Sequence, residues 1–236
     1  LSHALGLATP DPRLGEWVSL ELEPASWVGG ASATSPGHAA MGMARVFDTV
    51  LGALASAWPT RVGAGSCSLA AMVELRSGDE VLTDVIAGGE GATPIRGGRD
   101  AWAGPILPPR SAASFPRWLD ITQRSRDGSG GGGARKGGGG LERTYHVERD
   151  AVARVGIDRR LNPPHGIDRA GPPHPAEVRV LQPGCEPIAA PSWEPIELPV
   201  GSRLTVCTAG GAGHGFGGYG DIEFDASEWF GSKSSD

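Results

Sequence analysis

The stretch DGSGGGGARKGGGG, residues 127–140, places nine glycines in fourteen positions near the middle of the chain. A flexible linker is one use of such a run, but strand-like sequence lies directly beside it at 141–148, and also beside a second glycine cluster, at 203–208. Tight turns and close approach of backbone to backbone or to a ligand are the remaining uses of glycine. We therefore expect an ordered double turn, with Asp127 and Ser129 hydrogen-bonded to its backbone.

Neither glycine cluster forms a known phosphate-binding motif. The P-loop needs a glycine before its lysine and a hydroxyl after it, whereas Lys136 stands between Arg135 and Gly137. GHGFGG, residues 213–218, satisfies GxGxxG, but a dinucleotide fold also needs a following helix and an acid about twenty residues on. Only sixteen residues follow Gly220. Structural turns and a ligand contact through Arg135 remain as alternatives.

Composition indicates a globular, β-rich chain of 236 residues with a real hydrophobic core. The 38 glycines and 20 prolines favour turns over long helices. A net charge of −6 argues against a nucleic-acid binder. Locally, residues 124–160 carry nine Lys or Arg against five Asp or Glu, whereas residues 221–236 carry five acids against one lysine. The basic middle faces an anionic ligand or is a solvated mixed surface.

The cysteines and the lack of long apolar runs indicate where in the cell the protein is expected. Cys67, Cys185 and Cys207 are widely spaced without a CxxC pair, which favours reduced thiols in a cytoplasmic protein. No apolar run approaches the ~20 residues of a membrane span, and the first residues lack a signal-peptide pattern. We expect a cytoplasmic protein that binds neither membrane nor nucleic acid. Because it begins at Leu1, we expect a piece of something longer.

One segment has helical periodicity. AAMGMARVFDTVLGALASAW, residues 39–58, predicts one long buried helix that Pro59 ends, with Gly52 among the small residues that admit a close neighbour. Its apolar face comprises Met43, Val46, Phe47, Val50, Leu51 and Leu54. Alternating or β-rich runs predict strands over 16–24, 72–76, 81–86, 141–148, 151–157, 177–181 and 203–208. The expected class is α+β: mostly strands and glycine-rich loops, with one long helix.

Other chemistry in the sequence is sparse. His165 and His174 lie nine residues apart in a proline-rich loop, which matches no tight metal-ligand spacing. No GxSxG elbow is present, and the scattered His, Asp and Ser residues define no triad. The sequence therefore predicts no metal site and no complete set of catalytic residues in this chain.

Five segments in order resemble the hydantoinase B family. That family includes the second half of ATP-dependent 5-oxoprolinases, the B subunits of N-methylhydantoinases and the large subunits of acetone and acetophenone carboxylases. The segments are ARVFDTVLGALASAWPTRVGAGS (44–66), GGEGATPIRGGRDA (88–101), RSRDGSGGGGARKGGGGLERTYHV (124–147), DRRLNPPHGIDRAG (158–171) and CTAGGAGHGFGGYGD (207–221). The family's metal-binding motif ND-P-y-x-GG-x-H is absent. The resemblance implies the C-terminal part of a hydantoinase B-like domain over 1–225, incomplete, followed by an acidic tail over 226–236.

The resemblance also implies function and partners. It implies a portion or subunit of an ATP-dependent amidohydrolase that opens lactam rings of the 5-oxoproline or hydantoin type, contributing scaffold and pocket walls and inactive alone. A subunit of an acetone-type carboxylase and a non-catalytic assembly partner are the alternatives. The expected partners are a hydantoinase A-type ATP-binding subunit and the missing N-terminal half, which supply ATP and a divalent metal, none being bound by this chain alone.

Two sets of residues carry the implied site. The candidate substrate-binding residues are Asp127, Ser129, Arg135, Arg159, Arg160 and His165. The candidate structural glycines are Gly130, Gly131, Gly137, Gly138, Gly211, Gly213, Gly217 and Gly218. Two departures bear on these contacts: the loop over 100–115 is shorter than in the family, and Arg135–Lys136 stands where the family has Arg-Gly.

Overall fold

The computed structural model describes residue 21 and residues 36–102 and 115–217, with side chains in the helix described from residue 41. Within those ranges the chain forms one helix, α1 (Pro36–Ala55), and nine strands. The strands are β1 (Ala71–Ser77), β2 (Glu80–Ile86), β3 (Leu119–Arg126), β4 (Gly140–Val147), β5 (Ala151–Ile157), β6 (Glu177–Leu181), β7 (Ile188–Ala189), β8 (Ile196–Leu198) and β9 (Arg203–Cys207). The strand predicted over 16–24 lies outside the described residues, apart from Glu21.

The strands form two antiparallel sheets. The first has the order β2-β1-β5-β8 and the second the order β3-β4-β9-β6-β7. Alternate residues of each strand point to one face, and the inner faces of both sheets contribute to a single hydrophobic cluster. Val73 and Val155 of the first sheet and Leu204 and Val206 of the second lie in it, fully buried. The result is a β-sandwich.

One polar bridge crosses the core of the sandwich. Oδ2 of Asp84, on β2, accepts hydrogen bonds from the Tyr145 hydroxyl at 2.6 Å and from Nη1 of Arg143 at 2.5 Å, both on β4. Burial raises the pKa of Tyr145 well above its ordinary value, so its hydroxyl keeps its proton and donates. Since buried polar groups are costly unless paired, this bridge holds the two sheets in one relative position.

The helix lies partly exposed at one side of the sandwich, so the prediction that it is buried is wrong. It has 20 residues but ends at Ala55, before Pro59. Its Met41 packs against Met72 near the first sheet, and Leu51 packs in a cluster with Val62 and Ile167. Three residues of the predicted apolar face are exposed to solvent: Met43 (73%), Phe47 (58%) and Val50 (42%). The apolar face of the helix is wider than the part of it that packs against other described residues.

Six predicted strands form, each within one residue of its predicted bounds at either end: β1, β2, β4, β5, β6 and β9. The α+β class is confirmed at that level, as the described part of the chain is mostly sheet with a single helix. Strands β3, β7 and β8 were not predicted. β3 has only two apolar residues, Leu119 and Ile121, and β7 and β8 are two and three residues long, so none shows a readable alternation.

Candidate functional site: a basic edge on a glycine bundle

Irregular segments beside the sandwich associate through their backbones into what we call the glycine bundle. It comprises residues 63–67, 88–92, 97–101, 129–139, 165–171 and 209–215. The hydrogen bonds pass from segment to segment: Gly131 N donates to Gly211 O at 2.9 Å, Gly211 N to Gly138 O at 2.8 Å, and Gly138 N to Glu90 O at 2.9 Å. Because buried backbone groups must be paired, these bonds let irregular chain lie in the interior.

The bundle is so closely packed that side chains do not fit. A Cβ built on Gly137 would lie 1.9 Å from Gly211 O, and one on Gly138 would lie 2.0 Å from Arg99 O. A Cβ built on Gly130, Gly131, Gly211 or Gly213 would likewise lie within 2.3 Å of a backbone oxygen. Glycine is required here for contact of backbone with backbone. Of the remaining predicted glycines, Gly217 is exposed and Gly218 lies outside the described residues.

A buried carboxylate, Glu90, ties one segment of the bundle to the next. Its oxygens accept hydrogen bonds from both terminal nitrogens of Arg96 at 2.8 Å, and Oε2 accepts one from Nε of Arg99 at 3.0 Å. Burial alone would raise the pKa of Glu90, but the hydrogen bonds from Arg96 and Arg99 outweigh it and lower this pKa to about 2. Glu90 is therefore ionised at neutral pH and fixes the loop that carries both arginines.

Four cations lie on two adjoining segments of the bundle, which together we call the basic edge: Arg96, Arg99, Arg135 and Lys136. Gly98 N donates to Lys136 O at 2.9 Å, so the loop with the first two cations lies against the stretch with the others. The Arg99 guanidinium also lies 4.2 Å from the centre of the Trp102 ring. Arg135 and Lys136 are exposed, and neither has an ion-pair partner within residues 36–102 and 115–217. Such an edge attracts anions.

The other predicted substrate-binding residues lie apart from the basic edge, and two of them form hydrogen bonds with the backbone of the fold. Asp127 is exposed where the glycine stretch begins. Ser129 is buried; its hydroxyl donates to Arg126 O at 2.6 Å and accepts from Gly140 N at 2.9 Å. Arg160 donates to the backbone oxygen of Ala190 at 3.1 Å. A role for these residues in substrate binding stays a prediction, and none of them adjoins Arg135 through a contact that the structure describes.

His165 is exposed and lies over the helix at Gly52. A Cβ built on Gly52 would lie 2.5 Å from Nε2 of His165, so the imidazole occupies the space that a side chain would fill. The small residue predicted to admit a close neighbour thus has one. His214, by contrast, is buried, and its Nε2 lies 2.9 Å from Pro59 O.

Arg159 belongs to a buried ion network between the helix and the segment after β5. Its Nη2 lies 2.8 Å from Oδ2 of Asp48, which also pairs with Arg45 at 2.9 Å, while Arg45 pairs with Asp158 at 3.0 Å. Burial raises the pKa of Asp48 although Arg45 and Arg159 act in the opposite direction. Burial also raises the pKa of the neighbouring Cys67 thiol to about 12. The network is neutral as a set and structural in its contacts.

Sequence reasoning missed Glu90, Arg96 and Arg99 as a unit. Their segment, GGEGATPIRGGRD, contributes to the family resemblance but supplies none of the candidate site residues. The available signal was an acid enclosed by glycines with two arginines six and nine residues later, a spacing that folds a short loop onto one carboxylate. Within the described residues no group of three or more His, Cys, Asp or Glu side chains is placed to hold a metal ion. Across the same ranges, no helix has the length and apolarity that crossing a bilayer requires.

Known proteins resemble this chain in sequence and in fold. A sequence model of the Hydantoinase B/oxoprolinase family matches residues 16–217. The ATP-dependent caprolactamase from Pseudomonas jessenii is similar in structure, with TM-score 0.53 and 20% identity, over 70% of this chain and 32% of the caprolactamase chain. The nucleotide-free structure of an acetone carboxylase is similar with TM-score 0.50 and 16% identity, over 66% of this chain and 27% of its own. No curated protein sequence gives a significant match. The chain thus spans about a third or less of the length of these two structural relatives.

Proposed function

The chain belongs to the hydantoinase B/oxoprolinase family, and on that premise we propose that it is the C-terminal portion of an ATP-dependent cyclic-amide hydrolase. The substrates are lactam rings of the 5-oxoproline or hydantoin type. The chain contributes scaffold and pocket walls, whereas the N-terminal half and a hydantoinase A-type subunit contribute the metal and ATP. The fold likeness to an ATP-dependent caprolactamase supports the lactam class.

The basic edge is the observation that carries the proposal. Phosphorylation of a lactam oxygen makes the ring carbon electrophilic enough for water to attack it and for the C–N bond to break, and ATP would supply that phosphoryl group when bound in the partner. The charge that the oxygen then carries needs fixed cations. Arg135 and Lys136 stand on a bundle held by backbone hydrogen bonds, which costs them little reorganisation when an anion arrives. Their exposure leaves both side chains available for contact with another part of the enzyme.

The described residues do not fit a metal centre of their own. No P-loop is present in the sequence either, as Lys136 lacks the glycine before it and the hydroxyl after it. In this proposal the chain binds and orients the anionic group. No step of the reaction is assigned to a side chain that would hold a metal here.

Reconstitution tests the proposal. The chain is mixed with the N-terminal half and the A-type subunit, and ATP-dependent opening of 5-oxoproline and hydantoin is measured. Activity is expected only in the mixture. Replacing Arg135 and Lys136 with Ala is expected to lower kcat/KM about tenfold or more, the scale of a lost charge-assisted hydrogen bond. Turnover by the isolated chain, or equal kcat/KM in the double variant, contradicts the proposal.

A matched control separates the site from general surface charge. Arg76 and Arg203 are exposed on strands β1 and β9, away from the glycine bundle. Their double replacement with Ala removes the same two charges and is expected to leave kcat/KM unchanged. If both double variants lose activity equally, net charge rather than the basic edge is responsible.

A carboxylase subunit is the second candidate, supported by the fold likeness to an acetone carboxylase. The same basic edge would then face a phosphorylated ketone or carbonate oxygen. Labelled bicarbonate incorporated into acetone by the reconstituted mixture, without lactam opening, favours this candidate. A non-catalytic assembly partner is favoured if the chain co-purifies with proteins that lack the ND-P-y-x-GG-x-H motif and no mixture shows either activity.

A further inference from the structure

We propose that the outer face of α1, formed by Met43, Phe47 and Val50, is the surface on which the remainder of the hydantoinase B-type fold docks. The partner is the polypeptide that carries that remainder, and it presents an uncharged, apolar surface to the helix. Docking here rests on the proposed function, which assigns the remainder to a separate N-terminal half. It adds the place and the chemistry of the contact.

The charged side chains of α1 lie on its inner side. Between residues 41 and 55 the helix has two of them, Arg45 and Asp48, and both belong to the ion network with the segment after β5. Gly52 faces the same way, since a Cβ built on it would meet the His165 ring. A helix at a protein surface ordinarily has the opposite arrangement, with its charges towards water and its apolar residues towards the core.

The outer side of α1 is an apolar stripe. Met43, Phe47 and Val50 follow one another at spacings of four and three residues, so they lie in one row along the helix. All three are exposed within the described part of the chain. A helix without a charged outer face is typical of one that is buried from both sides, and a continuous exposed apolar patch marks an interaction surface. Another protein surface is therefore expected to cover this stripe.

The size of the structural relatives indicates which surface that is. The fold of this chain accounts for 32% of the caprolactamase chain and 27% of the acetone carboxylase chain, so about two-thirds or more of each relative lies outside the shared fold. Elements of one fold bury their apolar faces against each other. The helix precedes both sheets in the chain, so it is the described element nearest in sequence to an N-terminal portion. A second copy of this chain does not supply the rest of the fold.

Thiol protection tests the docking. In a Cys185→Ser background, which lacks the exposed native cysteine, Phe47→Cys places one accessible thiol on the outer face. A maleimide is expected to label it fast in the isolated full chain. Labelling is expected to be about tenfold slower or more once the N-terminal half, the polypeptide with the ND-P-y-x-GG-x-H motif, saturates the chain. The matched control is Ile188→Cys, at an exposed apolar residue on β7, which is expected to react equally fast in both states.

A charge on the outer face gives a second measurement. Phe47→Glu puts a carboxylate into an apolar contact, and we expect it to raise the Kd for the N-terminal half, measured by titration calorimetry, about tenfold or more. Ile188→Glu introduces the same charge elsewhere and is expected to leave this Kd unchanged. Because both residues are exposed, the urea midpoints of the two variants are expected to match that of the wild-type chain, as evidence of folding.

The outcomes separate this surface from the proposed activity. Slow labelling of the Phe47→Cys thiol in the isolated chain would mean that the chain itself or a second copy covers the stripe, and would overturn the proposal. An unchanged Kd in Phe47→Glu, or the absence of a complex, would overturn it too. A complex that opens lactam rings while this thiol reacts freely contradicts the docking surface alone. A protected thiol in a complex without turnover contradicts the proposed function alone.

Discussion

Nη2 of Arg159 lies 2.8 Å from Oδ2 of Asp48, joining residues that are 111 positions apart in the chain. The sequence suggested Arg159 as a substrate contact, and the structure places its guanidinium in a buried network with the helix. Arg159 itself has left-handed backbone, with φ of 64°. A strained residue that holds a buried carboxylate positions the segment after β5 against α1.

Replacing Asp48 with Asn leaves the half-buried Arg45 and Arg159 without the buried carboxylate that they share. Breaking a buried ion pair from one side costs about 3–5 kcal/mol. We expect a fall of that order in the free energy of unfolding, measured by urea denaturation. The control is Glu74→Gln, which breaks the exposed pair with Arg154 at 3.7 Å and is expected to cost less than about 1 kcal/mol. Equal losses in the two variants would contradict the assignment.

Glu90 makes stability depend on pH in the acid range. Its pKa falls from 4.5 to about 2 on folding, so the folded chain binds its proton less readily than the unfolded chain. The stabilisation is therefore present above pH 4.5 and is lost as the pH falls towards 2. Glu90→Gln is expected to cost about 2 kcal/mol at pH 7 and to flatten the fall in unfolding free energy below pH 4.5. Glu197→Gln, at an exposed carboxylate, is expected to keep the wild-type slope; a parallel slope in both variants would refute the role of Glu90.

Two glycines of one stretch differ in what surrounds them. Gly137→Ala would place its Cβ 1.9 Å from Gly211 O, whereas a Cβ on Gly132 meets nothing within 4 Å. Overpacking of backbone against backbone is expected to cost about 3 kcal/mol or to prevent folding. Gly132→Ala is expected to change stability by less than about 0.5 kcal/mol. Thermal denaturation and soluble yield check both, and similar behaviour of the two variants would mean that the bundle is loosely packed.

Gly52 and His165 are expected to couple. Alanine favours a helix over glycine by about 1 kcal/mol, but on Gly52 its Cβ would meet the His165 ring. Gly52→Ala alone should therefore gain little or lose stability, while in a His165→Ala background it should gain about 1 kcal/mol. A double-mutant cycle measures the coupling. Strict additivity of the two changes would show that the imidazole does not occupy this space in solution.

The three cysteines are expected to differ in reactivity. Burial raises the pKa of Cys67 to about 12 and that of Cys207 to about 11, whereas Cys185 is exposed. Because the thiolate is the reactive form, a disulfide reagent at pH 7.5 should modify one thiol per folded chain and three in denaturant. Cys185→Ser should abolish the fast reaction. A fast reaction that persists in that variant would mean that a buried thiol opens readily.

Several strands could be predicted because their signal is local. Alternation of apolar and polar residues places one face of a strand towards a core wherever that core lies, so β1 and β5 could be located without knowing their neighbours. The helix could be located for the same reason, but not its burial. Met43 and Phe47 repeat at helical spacing like buried residues, and only the surrounding chain determines that they are exposed.

The candidate site depended far more on tertiary structure. The sequence by itself determined that Arg135 and Lys136 stand among glycines, that no P-loop is present and that the family resemblance runs along most of the chain. Only the fold decided that those glycines pack backbone on backbone, that Glu90 gathers Arg96 and Arg99, and that Arg159 is turned inward to Asp48. The physical reason is the range of the signals. Side-chain periodicity can be read within a few residues of sequence. Ion pairs and close backbone packing join segments that are far apart in the chain, and no local pattern indicates which segments will meet.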